Sequence, residues 1–168
     1  MRGPSTKCWS ASASGKRHDK GSGLGARVLA LPSHLQLQIV SADRSLVNER
    51  VDEVEIPGAD GYFGVLPGHT PLLALLGAGE LWYRQGQEKH YLAIAFGFAE
   101  VLPDRVTILA QVAERADEID VARAEAARKR VEQRMTAPPP DIDWERARVA
   151  LMKALVRLQV ASRARIRS

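Results

Sequence analysis

The chain has 168 residues, 45% of them hydrophobic and 26% charged, which suits one globular domain with an appendage. No run of about 18 apolar residues is present, so no membrane-spanning helix is written in it. One cysteine, Cys8, excludes an internal disulfide, and the histidines at 18, 34, 69 and 90 lack the spacing of metal ligands.

The net charge of +4 is unevenly placed: +5 over residues 1–34, −7 over 35–119 and +6 over 120–168. Residues 1–34 are rich in Ser, Gly, Lys and Arg and carry almost no apolar periodicity. They cannot bury enough surface to offset their ordering entropy, so they read as a basic, disordered extension. A transit peptide, a flexible arm and a misplaced start codon all stay open here. Residues 35–40 alternate apolar and polar, the mark of a half-buried strand. A second extended stretch, 46–56, ends at the turn signal Pro57-Gly58. Gly61, Gly64, Pro67-Gly68 and Pro71 then mark a loop-rich segment, with its glycines read as backbone requirements for positive φ or close approach. Residues 79–85 and 89–95 form a hairpin across Gly86. Residues 98–102 and 106–113 form another across Pro103-Asp104. Strands at this spacing predict an antiparallel β-sandwich or barrel over 35–116.

After Ala113 the period changes. Residues 120–135 are rich in Ala, Arg and Glu, with Asp120 as N-cap and Glu125 in the early turns. Pro138-Pro139-Pro140 must end that helix. A second helix begins around Asp141–Asp143, with Trp144, Ala147, Leu151, Ala154, Leu155 and Leu158 on one stripe. Residues 117–168 therefore read as an antiparallel αα-hairpin, and the whole as an α+β chain. The sequence has no phosphate loop, no dinucleotide fingerprint and no nucleophile elbow. Aromatics are 5% of residues, and only Trp144 stands among the basic residues of 120–168. Base stacking on a basic surface is not supported.

The segment Pro57-Gly-Ala-Asp-Gly-Tyr-Phe-Gly-Val-Leu-Pro-Gly-His-Thr-Pro-Leu-Leu73 resembles the signature loop of ATP synthase epsilon subunits. Four other pieces agree in order: the strand at 35–40, Gly79-Glu-Leu81, Phe96-Gly-Phe-Ala-Glu-Val101 leading to Val106-Thr-Ile-Leu-Ala110, and Glu118-Ile-Asp-Val-Ala-Arg-Ala124. The resemblance spans residues 35–162. It implies a non-catalytic rotor subunit of a proton-translocating ATP synthase, with no cofactor required. The β-sandwich would sit between the gamma subunit and the c-subunit ring. The hairpin would either fold onto the sandwich or extend toward the catalytic alpha and beta subunits and inhibit hydrolysis. Such a subunit is peripheral, on the cytoplasmic face of the inner (plasma) membrane, or in an organelle if residues 1–34 are a transit peptide. The chain departs from the family pattern at Ala95-Phe96, where many members carry Gly-Gly, and at Tyr62, where an acid often faces the ring.

The resemblance also implies site residues. In some bacterial members the motif matched by Ile119-Asp120-Val-Ala-Arg123-Ala124 opens a regulatory ATP site. Asp120, Arg123, Arg130, Lys153 and Arg157 would form it here, with Lys153 in place of an arginine and so without a bidentate fork for phosphate. The plainer alternative is that Asp120 caps its helix and Arg123 contacts the sandwich. Tyr62 and His69 are interface candidates; His69 otherwise orders its own loop. A rival function is a stand-alone nucleotide- or nucleic-acid-binding module that uses the basic helices.

Overall fold

The computed structural model describes residues 32–138 and 141–166; the predicted extension 1–34 falls almost wholly outside the described residues. Seven strands precede two helices: β1 Leu35–Ser41, β2 Ser45–Val51, β3 Glu53–Gly58, β4 Gly61–Val65, β5 Leu72–Gln85, β6 Glu88–Val101, β7 Arg105–Arg115, α1 Val121–Thr136 and α2 Trp144–Ile166. The strands form one hydrogen-bonded sheet in the order β2-β1-β7-β6-β5-β3-β4. All seven contribute to one apolar core, from Leu35, Leu37 and Ile39 through Val54, Val65 and Leu81 to Val106 and Ile108. The sheet therefore folds over itself into a sandwich.

Several sequence expectations need correction. The sheet is not wholly antiparallel, because β1 pairs β7 in parallel, with Leu37 beside Val106. The stretch 46–56 is two strands, broken where the Asp52 carboxylate accepts from the Gly86 backbone N–H at 2.7 Å and from Arg84 at 3.2 Å. Pro57 and Gly58 continue β3; the turn falls at Ala59-Asp60, and part of the expected loop is strand β4. Gly61 and Gly68 have positive φ, whereas Gly64 does not. The two short hairpins share a strand: 79–85 and 89–95 are one half each of the 14-residue strands β5 and β6, and 98–102 is the other half of β6, paired with β7.

These three long strands bend together. In β6 Phe96 has φ +58° and Gly97 φ +123°. Before the bend Leu92 and Ile94 face the core; after it Ala99 and Val101 do. The same change of parity separates Leu76 from Leu81 and Tyr83 in β5, and Ala110 from Ala113 in β7. Because the pairing register is the same on both sides of the bend, the three strands turn over as a unit. This fold line divides the outer face of the sheet into two halves.

The hairpin covers one half. Ala93 packs with Ile119, Val160 and Ala161, against half-buried Tyr91, Ala116, Val121 and Val156. Leu92–Ala95 is consequently buried on both faces. Of α1, Ala124 is the buried residue, and Glu125 lies beyond its first turn, which holds no acid. Asp143 caps α2 by accepting the Arg146 N–H at 2.9 Å. The expected apolar stripe on α2 is only partly inward: Ala154 is buried, but Trp144 and Leu155 are exposed. Val160 and Ala161 take their place because the helix meets the sheet at its C-terminal half.

Candidate functional site

Asp120 ends the linker after β7, and its Oδ1 accepts the Arg123 backbone N–H at 3.0 Å. Caps of this kind contribute about 1 kcal/mol. Arg123 and Arg130 lie seven residues apart on α1, two helical turns, and so share one face. Both line a cleft of about 400 Å³ with Asp120, Glu114, Glu118 and Arg157. Arg157 reaches across from α2, its Nε and Nη2 donating to the two Glu114 carboxylate oxygens at 2.8 and 2.6 Å. This fork is the strong form of an ion pair, and the Glu114 bond holds the Arg157 pKa above its ordinary value against the opposing effect of burial. Glu118 is paired with Arg44. The cleft thus sets three guanidinium groups, suited to phosphate oxygens, beside three carboxylates, suited to amino groups.

Of the five residues expected to share a site, four line this cleft. Lys153 does not: its Nζ lies 5.4 Å from the Phe96 ring centroid. Glu114 and Glu118, which the sequence reading did not single out, complete the lining. A sequence signal existed for Glu114, a lone acid at the end of an apolar strand.

Tyr62 projects from β4 and is half exposed, its hydroxyl accepting the Glu80 backbone N–H at 3.3 Å. The ring covers Gly79, where any Cβ would come within 2.5 Å of the hydroxyl oxygen. His69 Nδ1 donates to the Thr70 carbonyl at 2.7 Å and its backbone N–H to Leu66 at 3.1 Å, so it braces its own loop.

Among the described residues nothing covers the other half of the sheet's outer face. Leu75, Phe98 and Leu109 are register partners on β5, β6 and β7, and each is more than half exposed. Leu73, two residues along β5, is 72% exposed. A contiguous apolar row of this kind marks an interaction surface. In the sequence, the repeat of Leu73 and Leu75 is the available signal for this row. Among the described residues no group of three His, Cys, Asp or Glu could hold a metal ion. No described helix is long and apolar enough to cross a membrane.

Comparison with known proteins matches both parts of the chain. Residues 34–116 fit the family model for the ATP synthase delta/epsilon chain β-sandwich domain, and residues 117–162 that for its long α-helix domain. The chain is 47% identical over 133 residues to the ATP synthase epsilon chain of Solibacter usitatus, covering 79% of this chain and 99% of that one. It is 52% identical over 127 residues to the epsilon chain of Herpetosiphon aurantiacus, covering 76% and 93%. A chain of the Euglena gracilis mitochondrial ATP synthase, solved with OSCP, F1 and c-ring, has the same fold: TM-score 0.69 at 23% identity, covering 95% of this chain and 99% of that one. With both domains matched in order and nearly whole relatives covered at close to half identity, the chain belongs to the ATP synthase epsilon-chain family.

Proposed function

We propose that this epsilon chain is a non-catalytic subunit of the central stalk, held to the gamma subunit by the bare half of its sheet. The row Leu73, Leu75, Phe98 and Leu109 is the observation that carries this reading. An apolar row crossing three strands, left uncovered by the chain's own hairpin, fits an obligate partner. Strand β4 with Tyr62 and the following loop with His69 form the second contact, toward the c-subunit ring; a tyrosine in place of an acid makes that contact apolar and hydrogen-bonded rather than ionic. The subunit is peripheral, held at the cytoplasmic face of the membrane through its partners. The family assignment leaves the stand-alone nucleotide- or nucleic-acid-binding reading without support.

The test is capture of gamma by the full chain and by Leu75→Glu/Phe98→Glu. Both side chains are exposed, so the double variant folds, and it loses gamma at least tenfold, the scale of one buried apolar anchor. Undiminished capture by the folded variant refutes the docking face.

The cleft supports a second reading: it takes regulatory ATP, with phosphates on Arg123 and Arg130 and with Arg157 leaving Glu114 to join them. The convergence of those arginines on one cleft favours it. The hairpin, docked here, acts as a brake on hydrolysis when it extends to the alpha and beta subunits.

A further inference from the structure

Glu80 is the one buried charged side chain among the described residues, 7% exposed. It lies on β5 opposite Ala93 of β6, and Ala93 belongs to the cluster that seats the hairpin. Its carboxylate therefore faces α2 rather than the core. Among the described residues its side chain has one hydrogen-bond partner, Arg163 Nε of α2 at 3.2 Å. The Glu80 bond raises the Arg163 pKa, and the guanidinium also lies 5.8 Å from the Tyr91 ring. Arg163 itself is 46% exposed, so its outer edge is open to solvent.

Two facts make this pair different from an ordinary surface bridge. First, α2 buries the carboxylate by docking, and a buried carboxylate without a counter-charge is costly. Second, the rest of the seat is modest: its buried members are Ala93, Ile119, Val160 and Ala161, and Tyr91, Ala116, Val121 and Val156 are only half-buried against them. Such a contact sits at the low end of local stability, where one ion pair can decide the balance. Arg157 with Glu114 adds a second pair farther along the helix, but about a third of each of those side chains stays exposed, and losing either partner leaves the other hydrated.

We propose that the Glu80–Arg163 pair gates the hairpin. The α2 helix lies on the sheet while Arg163 compensates the carboxylate that docking buries, and a polyanionic surface that captures Arg163 releases the helix. The pair works within the isolated chain, so the test needs no partner subunit.

Hydrogen exchange of the full chain reads docking through the amides of 153–163, with those of β1 reporting the fold. Arg163→Leu strands Glu80 and speeds exchange in α2 by roughly tenfold or more. Glu80→Leu removes the buried charge and leaves α2 as protected as in the parent chain, or more so. The double substitution behaves like Glu80→Leu. Adding poly-glutamate speeds α2 exchange in the parent chain and has no effect on the double variant. Unchanged exchange in Arg163→Leu overturns the gate, as does exchange in Glu80→Leu as fast as in Arg163→Leu. Should Arg163→Leu unfold the sandwich, Glu80→Leu alone decides: faster α2 exchange than in the parent chain overturns the proposal, and equal or slower exchange supports it. Poly-glutamate without effect on the parent chain overturns the release by anions.

Discussion

Replacing Gly97 by alanine tests the fold line directly. An added Cβ would lie 2.0 Å from the Leu109 carbonyl oxygen and 3.0 Å from Ala110 Cα. Carbon and oxygen approach no closer than about 3.3 Å even in favourable strand contacts, so β7 must move by more than about 1 Å. That is a sizeable part of the ~4.8 Å strand spacing. The shift disrupts pairing at Gly97–Ala110 and Phe98–Leu109. One or two ladder hydrogen bonds at about 0.5–1.5 kcal/mol each, with about 1–3 kcal/mol for the φ of +123°, sum to roughly 1.5–6 kcal/mol. A domain stable by about 5–15 kcal/mol survives that with a much lower urea midpoint. The control is Gly64→Ala. That position has open space and no positive φ, so the substitution restricts the unfolded chain and stabilises by about 0.4–1 kcal/mol. Urea unfolding followed by circular dichroism measures both. Gly97→Ala within about 0.5 kcal/mol of the parent chain would refute the argument for the bend.

Acid unfolding reads the Asp52 hub. The Gly86 N–H first, then His34 and Arg84, hold its pKa below the ordinary carboxylate value against desolvation. Its stabilisation is complete above the unfolded value of about 3.9 and is lost as pH falls through the lower folded value. Asp52→Asn flattens that acid limb, and identical acid curves for both proteins count against the hub. For the cleft, ATP at a hundredfold excess over Kd raises stability by about 2.7 kcal/mol. Arg123→Ala abolishes the thermal shift while Lys153→Ala keeps it; loss of the shift in Lys153→Ala would place that residue in the site. Deleting residues 137–168 raises steady-state ATP hydrolysis by the reconstituted complex and spares synthesis. Equal hydrolysis with and without the hairpin removes the brake.

What the sequence determined by itself is local and periodic. Alternation at Leu35, Leu37 and Ile39 is enough for β1, because a half-buried strand has period two. Asp120 announces the start of α1, since its short carboxylate reaches the N–H three residues on. The order of the signature pieces carries the family, because each piece is a backbone demand made at a set distance from the next. Tertiary structure decided whatever depends on which surface covers which. The reversal of parity at Phe96-Gly97 breaks the period-two rule, so β5 and β6 read as separate short strands until their shared bend is seen. Trp144 and Leu155 carry the helical period yet stay exposed, because α2 meets the sheet through Val160 and Ala161. Lys153 has the spacing of a site residue, but the docked α2 sets it over Phe96 and brings Arg157 to the cleft. Glu80 looks like any strand glutamate until a helix 83 residues away in sequence lies across it and supplies Arg163. Burial belongs to the pair of surfaces in contact, and no single segment contains that information.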